Sequence, residues 1–191
     1  MAYPELLERK RRFKAYNDMT LYTLTRDLHH VCEDHPVGAS MSRGDVCEQW
    51  WTDWLLALFR IHHIIDSELD PRLRCVDRIR EDLSASRVDP RGNVPAGKLC
   101  ERLREDKYMR IAAHYVLTGA HLMGGQVMRK TIGDRLPTKH LQLDNRREIL
   151  DLWRPYRDRV DVAEEAREVF RSLLAIMDRM IELDGRTSGA V

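Results

Sequence analysis

The stretch Tyr115-Val-Leu-Thr-Gly-Ala-His-Leu-Met-Gly-Gly-Gln126 is the most informative part of this sequence. It reads as part of a helix, yet it contains the three glycines Gly119, Gly124 and Gly125. A glycine in a helix interior costs about 0.5–1 kcal/mol relative to alanine, because its backbone loses more conformational freedom on folding. Two arrangements compensate such a cost: close approach of the backbone to a flat ligand, or tight packing against a neighbouring helix. The residues of this stretch leave both open.

Helical signals continue on both sides of this stretch. Residues 98–130 read as one long helical segment, which Gly133 and Pro137 end. Asp45 is placed to cap an apolar helix that runs to Ile65, and residues 36–44 read as a loop. Strand signals are weak, because no long run alternates apolar and polar residues. The predicted fold class is therefore all-α. Further helices are predicted over residues 4–17, 20–33, 72–84, 142–153 and 162–183, with a connection at 86–97.

Length and composition restrict what the chain can be. Its 191 residues suit one domain, predicted over residues 1–184 with a flexible tail at 185–191. The formal net charge of +1 argues against nucleic acid as a partner, since such proteins normally carry a basic excess. A run of about 18 apolar residues, as a membrane span requires, does not occur. We expect a cytoplasmic protein with reduced thiols, because no secretory signal pattern and no CxxC pair occurs among Cys32, Cys47, Cys75 and Cys100.

A second informative stretch is Leu24-Thr-Arg-Asp-Leu-His-His-Val-Cys-Glu33. His29 and Glu33 are four residues apart and therefore share a helix face, whereas His30 points about 100° away. A histidine that binds a metal through one nitrogen usually donates its other N–H to an acceptor such as a carboxylate. A plain surface pair is the other reading of these two residues. For His62, on an apolar helix, we predict a packing role, and we place His140 in a loop.

Together the two stretches resemble the haem oxygenases. The segment from Tyr115 to Gln126 is similar to the distal helix of that family, whose glycines bring the backbone against one face of the haem. The segment from Thr25 to Glu33 is similar to the proximal helix, where a histidine binds the iron and a glutamate follows four residues later. Their order along the chain also agrees. The resemblance implies a single-domain helical bundle with haem between a proximal and a kinked distal helix.

The resemblance also implies roles for individual residues. His29 would be the metal ligand and Glu33 its hydrogen-bonding partner, with Gly119 among the residues that contact the haem. Arg26, Tyr115 and Arg157 would lie at the haem edge and hold the propionates, a task that suits arginine because its guanidinium can bind a carboxylate through two hydrogen bonds. Ordinary solvated surface is the alternative for the two arginines. His121, Gly124 and Gly125 would form the catalytic face.

His121 marks a departure from the best-known haem oxygenases. Those proteins have a Gly-Asp pair shortly before the two distal glycines, and the Asp organises waters that deliver protons. Here Ala120 and His121 occupy the corresponding positions. With an unperturbed pKa near 6.5, a histidine can hold a water or donate a proton. We rank water organisation first, binding of the iron in a resting state second, and a purely structural role third.

The resemblance implies an enzyme, a haem oxygenase. Haem would serve as both substrate and cofactor and would be opened by O2 to biliverdin, CO and ferrous iron. The electrons would come from a ferredoxin or a flavoprotein reductase. The alternative is a haem-binding sensor or carrier of the same fold without ring-opening activity. A non-haem di-iron relative ranks lower, because the sequence has no Glu-x-x-His pair. A pure interaction protein ranks lowest.

Overall fold

The computed structural model describes residues 20–92 and 96–188. Over these residues the chain forms α-helices joined by turns and short 3-10 segments, and no strand occurs there, so the all-α prediction is confirmed. The helix predicted over residues 4–17 lies outside the described residues. The helices are α1 Leu21–Asp34, α2 Pro36–Arg43, α3 Glu48–Ile65, α4 Val76–Ala85, α5 Gly97–Glu105, α6 Lys107–Leu122, α7 Gly124–Ile132, α8 Arg146–Arg157 and α9 Ala163–Ser188.

Helix α6 is the centre of the bundle. It begins at Asp106, whose carboxylate accepts a hydrogen bond from the Tyr108 backbone N–H at 2.8 Å. Every residue from Ala112 to Thr118 is buried, so the helix is enclosed on all sides rather than along one stripe. Helices α8 and α9 both pack against it, and α7 continues from its end. The glycine-bearing stretch therefore lies partly in the core.

Helix α1 is fixed to α9 and lies next to α6. Its first turn is closed by a capping box between Thr20 and Thr23. The guanidinium of Arg167, on α9, donates two hydrogen bonds to the Asp27 carboxylate, at 2.6 and 2.7 Å, and a third to a backbone carbonyl of α1. The Thr25 hydroxyl lies 3.5 Å from the Tyr115 hydroxyl of α6. The two helices singled out from the sequence are thus neighbours.

The long helix predicted over residues 98–130 is divided into three. The first division is at Asp106, which ends α5 and caps α6. The second is at Met123, whose φ of −102° and ψ of −74° depart from helical values. The interruption at Met123 separates α6 from α7 and is the kink that the resemblance implies for the distal helix. Gly133, with a φ of +58°, ends α7 as expected.

The loop predicted over residues 36–44 is wrong, because helix α2 occupies it. Pro36 stands at the first helical position, where its missing N–H costs nothing, and the His35 ring accepts a hydrogen bond from the Val37 backbone N–H. Gly44 ends the helix in the left-handed conformation, with a φ of +79°. The proline and the glycine therefore bound a short helix instead of marking a loop.

Several helix boundaries also differ from the sequence prediction. Cys47, not Asp45, caps α3, and Asp45 instead forms an ion pair with Arg43 at 2.9 Å. Helix α8 begins four residues later than predicted, because a 3-10 segment occupies 139–141 and Asn145 adopts a φ of +56°. The last helix continues past Gly185 to Ser188. Among the described residues, no helix has both the length and the apolarity that a membrane span requires.

Candidate functional site

His29 and Glu33 lie together on one face of α1, as their spacing predicts. The His29 Nδ1 atom is 3.4 Å from a carboxylate oxygen of Glu33, and it is buried without a hydrogen-bond partner in the described part of the chain. The ring lies edge-on to Phe170 and Tyr22, at centroid distances of 6.0 and 6.1 Å. Because Nδ1 faces the carboxylate, Nε2 on the other side of the ring is the nitrogen placed to bind a metal.

Arg26 and His30 lie on the adjacent part of α1. Both line an open cleft of about 580 Å³, together with Thr23, Leu24, Asp27 and Arg167. Donor atoms of His29, His30 and Glu33 all lie within 4.8 Å of one another, so this end of α1 offers nitrogen and oxygen ligands at its surface. The cleft adjoins His29 rather than lying over it.

An exposed apolar stripe runs across the junction of α6 and α7. Ala120, Met123, Gly124 and Val127 follow one another at helical spacing and are all exposed. Met123 and Val127 remain 50% and 55% exposed, so the stripe includes two large apolar side chains at the surface. Within the described residues, every large hydrophobic side chain that is exposed lies on α1 or in this stripe.

The three glycines of the stretch differ in what surrounds them. A Cβ on Gly119 would lie 2.8 Å from a ring carbon of Trp153, so tight packing of α8 accounts for this glycine. Gly125 is buried, and a Cβ there would meet a Leu141 methyl at 3.1 Å. A Cβ on Gly124 would meet only the Met128 methyl, at 3.9 Å. Close packing within the protein thus explains two of the glycines and leaves Gly124 open to the surface.

Tyr115 connects α6 with both α1 and α8. Its ring stacks on Trp153 at 5.8 Å, and its backbone carbonyl accepts a hydrogen bond from the indole N–H. Burial raises the pKa of Tyr115, and this effect outweighs the opposing effects of the Thr25 hydrogen bond and the Arg157 charge. Arg157 is exposed at the end of α8 and forms an ion pair with the adjacent Asp158 at 2.8 Å.

His121 faces the interior of the bundle and does not belong to the exposed stripe. It is 7% exposed, its ring stacks on that of His62 at 5.5 Å, and it meets the ring of His140 edge-on at 5.5 Å. Its Nδ1 atom lies 3.8 Å from the Cys75 sulfur. Burial lowers the pKa of His121 well below its usual value, so the imidazole is neutral. The ring contacts of His121 and of His29 have no residue in common.

The other members of this buried cluster were not expected from the sequence. His62 packs in the core as predicted, but it also binds the Asp66 carboxylate through Nδ1 at 2.8 Å. His140 lies in a 3-10 segment and is buried, with its Nδ1 atom 2.6 Å from Asp82. The four-residue spacing of His62 and Asp66 is the same signal that pointed to His29 and Glu33. Spacing does not reveal which of two such pairs is buried.

Solved structures provide the comparison that decides the fold. The haem oxygenase from Leptospira interrogans has a TM-score of 0.71 and 17% sequence identity, covering 83% of this chain and 97% of that chain. The haem oxygenase-1 from the cyanobacterium Synechocystis, in complex with haem, has a TM-score of 0.72 and 16% identity, covering 89% and 93%. This chain has the haem oxygenase fold. No protein-family model matches it, and neither does any curated protein.

The haem oxygenase fold gives the stripe and the His29–Glu33 pair a common context. Helix α1 corresponds in the resemblance to the proximal helix, and α6 with α7 corresponds to the distal helix. The exposed stripe offers an apolar surface, and His29 offers an imidazole nitrogen with a carboxylate behind it.

Proposed function

We propose that this chain binds haem between α1 and the exposed stripe, and opens it with O2 to biliverdin, CO and ferrous iron. The observation that carries the proposal is Gly124, which is exposed in an apolar stripe and has no packing partner close enough to require a glycine. Gly97 also lacks a packing partner, so it is the apolar stripe around Gly124, together with the missing partner, that points to a flat ligand against its backbone. The fold likeness to a haem oxygenase in complex with haem supports the same reading.

His29 binds the haem iron in this proposal. Its Nδ1 atom lacks a hydrogen-bond partner in the described structure but lies 3.4 Å from Glu33. A small rotation of the Glu33 side chain, which is 59% exposed, would complete that hydrogen bond. The carboxylate would then fix the tautomer with the proton on Nδ1 and make Nε2 the better ligand.

Arg26, Tyr115 and Arg157 hold the propionates in this proposal. Arg26 is exposed beside the cleft on α1, and the Arg157 charge is close enough to act on the Tyr115 hydroxyl. Arginine side chains at an open edge can bind carboxylates bidentately. Exposed basic groups at the same edge would also form the docking surface for a ferredoxin or a flavoprotein reductase. The proposal includes a cytoplasmic location, because ferredoxins and flavoprotein reductases occur there.

In this proposal His121 acts from the core-facing side of the distal helix and does not lie on the side that faces the haem. Since it lies next to Ala120 on the helix, its side chain points about 100° away from that member of the stripe. A neutral, buried imidazole can hold a water molecule at the helix through Nε2, the nitrogen that does not face Cys75. This role is the water organisation ranked first from the sequence. The kink at Met123 is the place where such a water could reach the haem side.

Reconstitution with hemin tests the proposal. The full chain is titrated with hemin and then supplied with a ferredoxin reducing system in air, with catalase present to remove free peroxide. We expect a Soret band that saturates at one hemin per chain and is then lost, with a single biliverdin isomer identified by chromatography. Hemin that binds tightly but survives reduction in air would overturn the oxygenase activity and favour the sensor or carrier.

His29→Ala and His30→Ala form a matched pair for the metal ligand. Both change a histidine on α1, but only His29 has a carboxylate behind its Nδ1 atom at 3.4 Å. We expect His29→Ala to lose the absorption spectrum of histidine-bound haem and to stop turnover, while His30→Ala keeps both. If His29→Ala retains the wild-type spectrum, the ligand is a different residue.

A further inference from the structure

A cluster of nitrogen and sulfur donors lies in the core on the inner side of α6. Donor atoms of His62, Cys75 and His121 all lie within 4.8 Å of one another. The three residues are 1%, 2% and 7% exposed. They come from α3, from the residue before α4, and from α6, so the tertiary fold and not a local sequence motif brings them together.

Asp66 positions two of the three residues. One of its carboxylate oxygens is 2.8 Å from His62 Nδ1, and the other accepts hydrogen bonds from the backbone N–H groups of Cys75 and Val76, at 2.6 and 2.7 Å. A carboxylate on the far nitrogen of a histidine is the arrangement that usually supports a metal-binding imidazole. The same carboxylate therefore orients the His62 ring and holds the backbone that carries the Cys75 sulfur.

The free nitrogen of His62 faces the cluster without a partner. The His62 Nε2 atom is buried, and in the described structure it neither accepts nor donates a hydrogen bond. Buried polar atoms are nearly always paired, so an orphaned imidazole nitrogen in a core requires an explanation. A bound ion would supply the missing partner.

We propose that His62, Cys75 and His121 form a buried site for one divalent ion of the zinc type. Zinc takes imidazole and thiolate ligands in tetrahedral geometry, with bond lengths of about 2.0–2.3 Å that place neighbouring donors about 3.3–3.6 Å apart. Cys75 Sγ and His121 Nδ1 are already 3.8 Å apart. Small side-chain rotations would close the cluster around an ion. The site does not depend on haem binding.

The surrounding charges suit a divalent cation. Asp66 and Asp82 are both buried, and a metal-bound Cys75 would be a thiolate, so the three groups would supply three negative charges. Two sources of positive charge balance these three negative charges. One is the half-buried Arg78, whose charge acts on Cys75 and His121, and the other is the ion with its two charges. With neutral imidazoles, as metal binding requires, these charges sum to zero. Each of the two carboxylates is also hydrogen-bonded to an imidazole, Asp66 to His62 and Asp82 to His140.

Loading with cobalt tests the site, because Co²⁺ takes the same ligands as zinc and a thiolate bound to it gives a charge-transfer band in the near ultraviolet. Since the site is buried, the haem-free full chain is produced in medium supplemented with Co²⁺ rather than titrated afterwards. We expect about one cobalt per chain that survives dialysis against a chelator, together with the thiolate band. The surface group of His29, His30 and Glu33 contains no sulfur and cannot give that band.

Cys75→Ala and Cys100→Ala identify the sulfur. Both thiols are buried, at 2% and 5% exposure, and only Cys75 lies in the cluster. We expect Cys75→Ala to lose the band and the retained cobalt, and Cys100→Ala to keep both. A band that persists in Cys75→Ala, or a wild-type chain without retained metal, overturns the proposal and makes the cluster a hydrogen-bonded core.

X-ray absorption of the zinc-loaded wild type decides the question even if Cys75→Ala does not fold. One sulfur and at least two imidazole nitrogens around the metal support the site, and a shell without sulfur overturns it. A hemin titration of the wild type separates this inference from the proposed function. A wild-type chain that binds hemin but retains no cobalt contradicts only the metal site, and one that retains cobalt but binds no hemin contradicts only the haem proposal.

Discussion

Replacing Gly124 by alanine adds one methyl group to the exposed stripe. The new Cβ would project from the backbone by about 1.5 Å. Its nearest neighbour in the protein would be the Met128 methyl at 3.9 Å, which is ordinary van der Waals contact. The substitution therefore creates no clash within the chain. A haem lying against the backbone at this point, however, would have to move outward or tilt.

The two effects of Gly124→Ala have opposite signs. Because alanine is the better helix former, the free energy of unfolding should stay unchanged or rise by up to about 1 kcal/mol. Displacing a flat ligand by even 0.5–1 Å loses roughly a quarter to a half of each dispersion contact in the displaced region. We therefore expect the dissociation constant for haem to rise at least about tenfold, which corresponds to about 1.4 kcal/mol.

Hemin titration and urea unfolding of the same preparations measure both effects. Gly97→Ala is the matched control, because Gly97 is also the exposed first residue of a nine-residue helix, and a Cβ added there would meet no atom within 4 Å. We expect Gly97→Ala to match Gly124→Ala in stability and the wild type in haem affinity. If Gly124→Ala binds hemin as tightly as Gly97→Ala does, the stripe is not the haem surface.

Two further predictions concern stability. Burial lowers the pKa of His114 to about 4, whereas an unfolded histidine titrates near 6.5, so the unfolded state takes up the proton first. The free energy of unfolding should therefore fall by about 3 kcal/mol through this residue as the pH is lowered from 6.5 to 4, and urea unfolding of His114→Gln should show a correspondingly smaller decrease. Arg91→Ala should cost about 3–5 kcal/mol, because it leaves the fully buried Asp53 carboxylate without the guanidinium that donates to it at 2.7 Å. In the same unfolding assay Arg43→Ala, which breaks an exposed pair, should cost about 1 kcal/mol or less, and equal losses for the two arginines would contradict the reasoning.

Local signals in the sequence were sufficient for some helices and not for others. Helix α1 was predicted to within a residue, because Thr20 caps its start and Pro36 follows its end. Helix α2 was missed, because a proline and a glycine at its two ends give the same signal as a loop. The division at Asp106 was missed because the helical periodicity continues on both sides of the residue, and only the backbone geometry reveals that its side chain caps a new helix.

The residues of the candidate site also differ in how far the sequence alone could identify their partners. His29 and Glu33 could be paired from the sequence, since four residues along a helix is a local distance. The partners of His121 could not, because Cys75 is 46 residues away along the chain and approaches only through tertiary packing. The periodicity of α6 also does not tell which of its faces meets a neighbouring helix. Gly119 thus belongs to the contact with Trp153, while Gly124 lies at the surface.

The hydrogen bonds of Asp66 couple the local unfolding of α3 to that of α4. The first N–H groups of a helix are normally satisfied by a side chain directly before it, but at α4 those of Cys75 and Val76 donate to a carboxylate that follows the end of α3. Opening of α3 would remove that acceptor and leave the amides of Cys75 and Val76 without a partner. The two helices should therefore open as one cooperative unit in native-state hydrogen exchange, with the Cys75 and Val76 amides exchanging as slowly as the middle of α3 although they stand at a helix terminus.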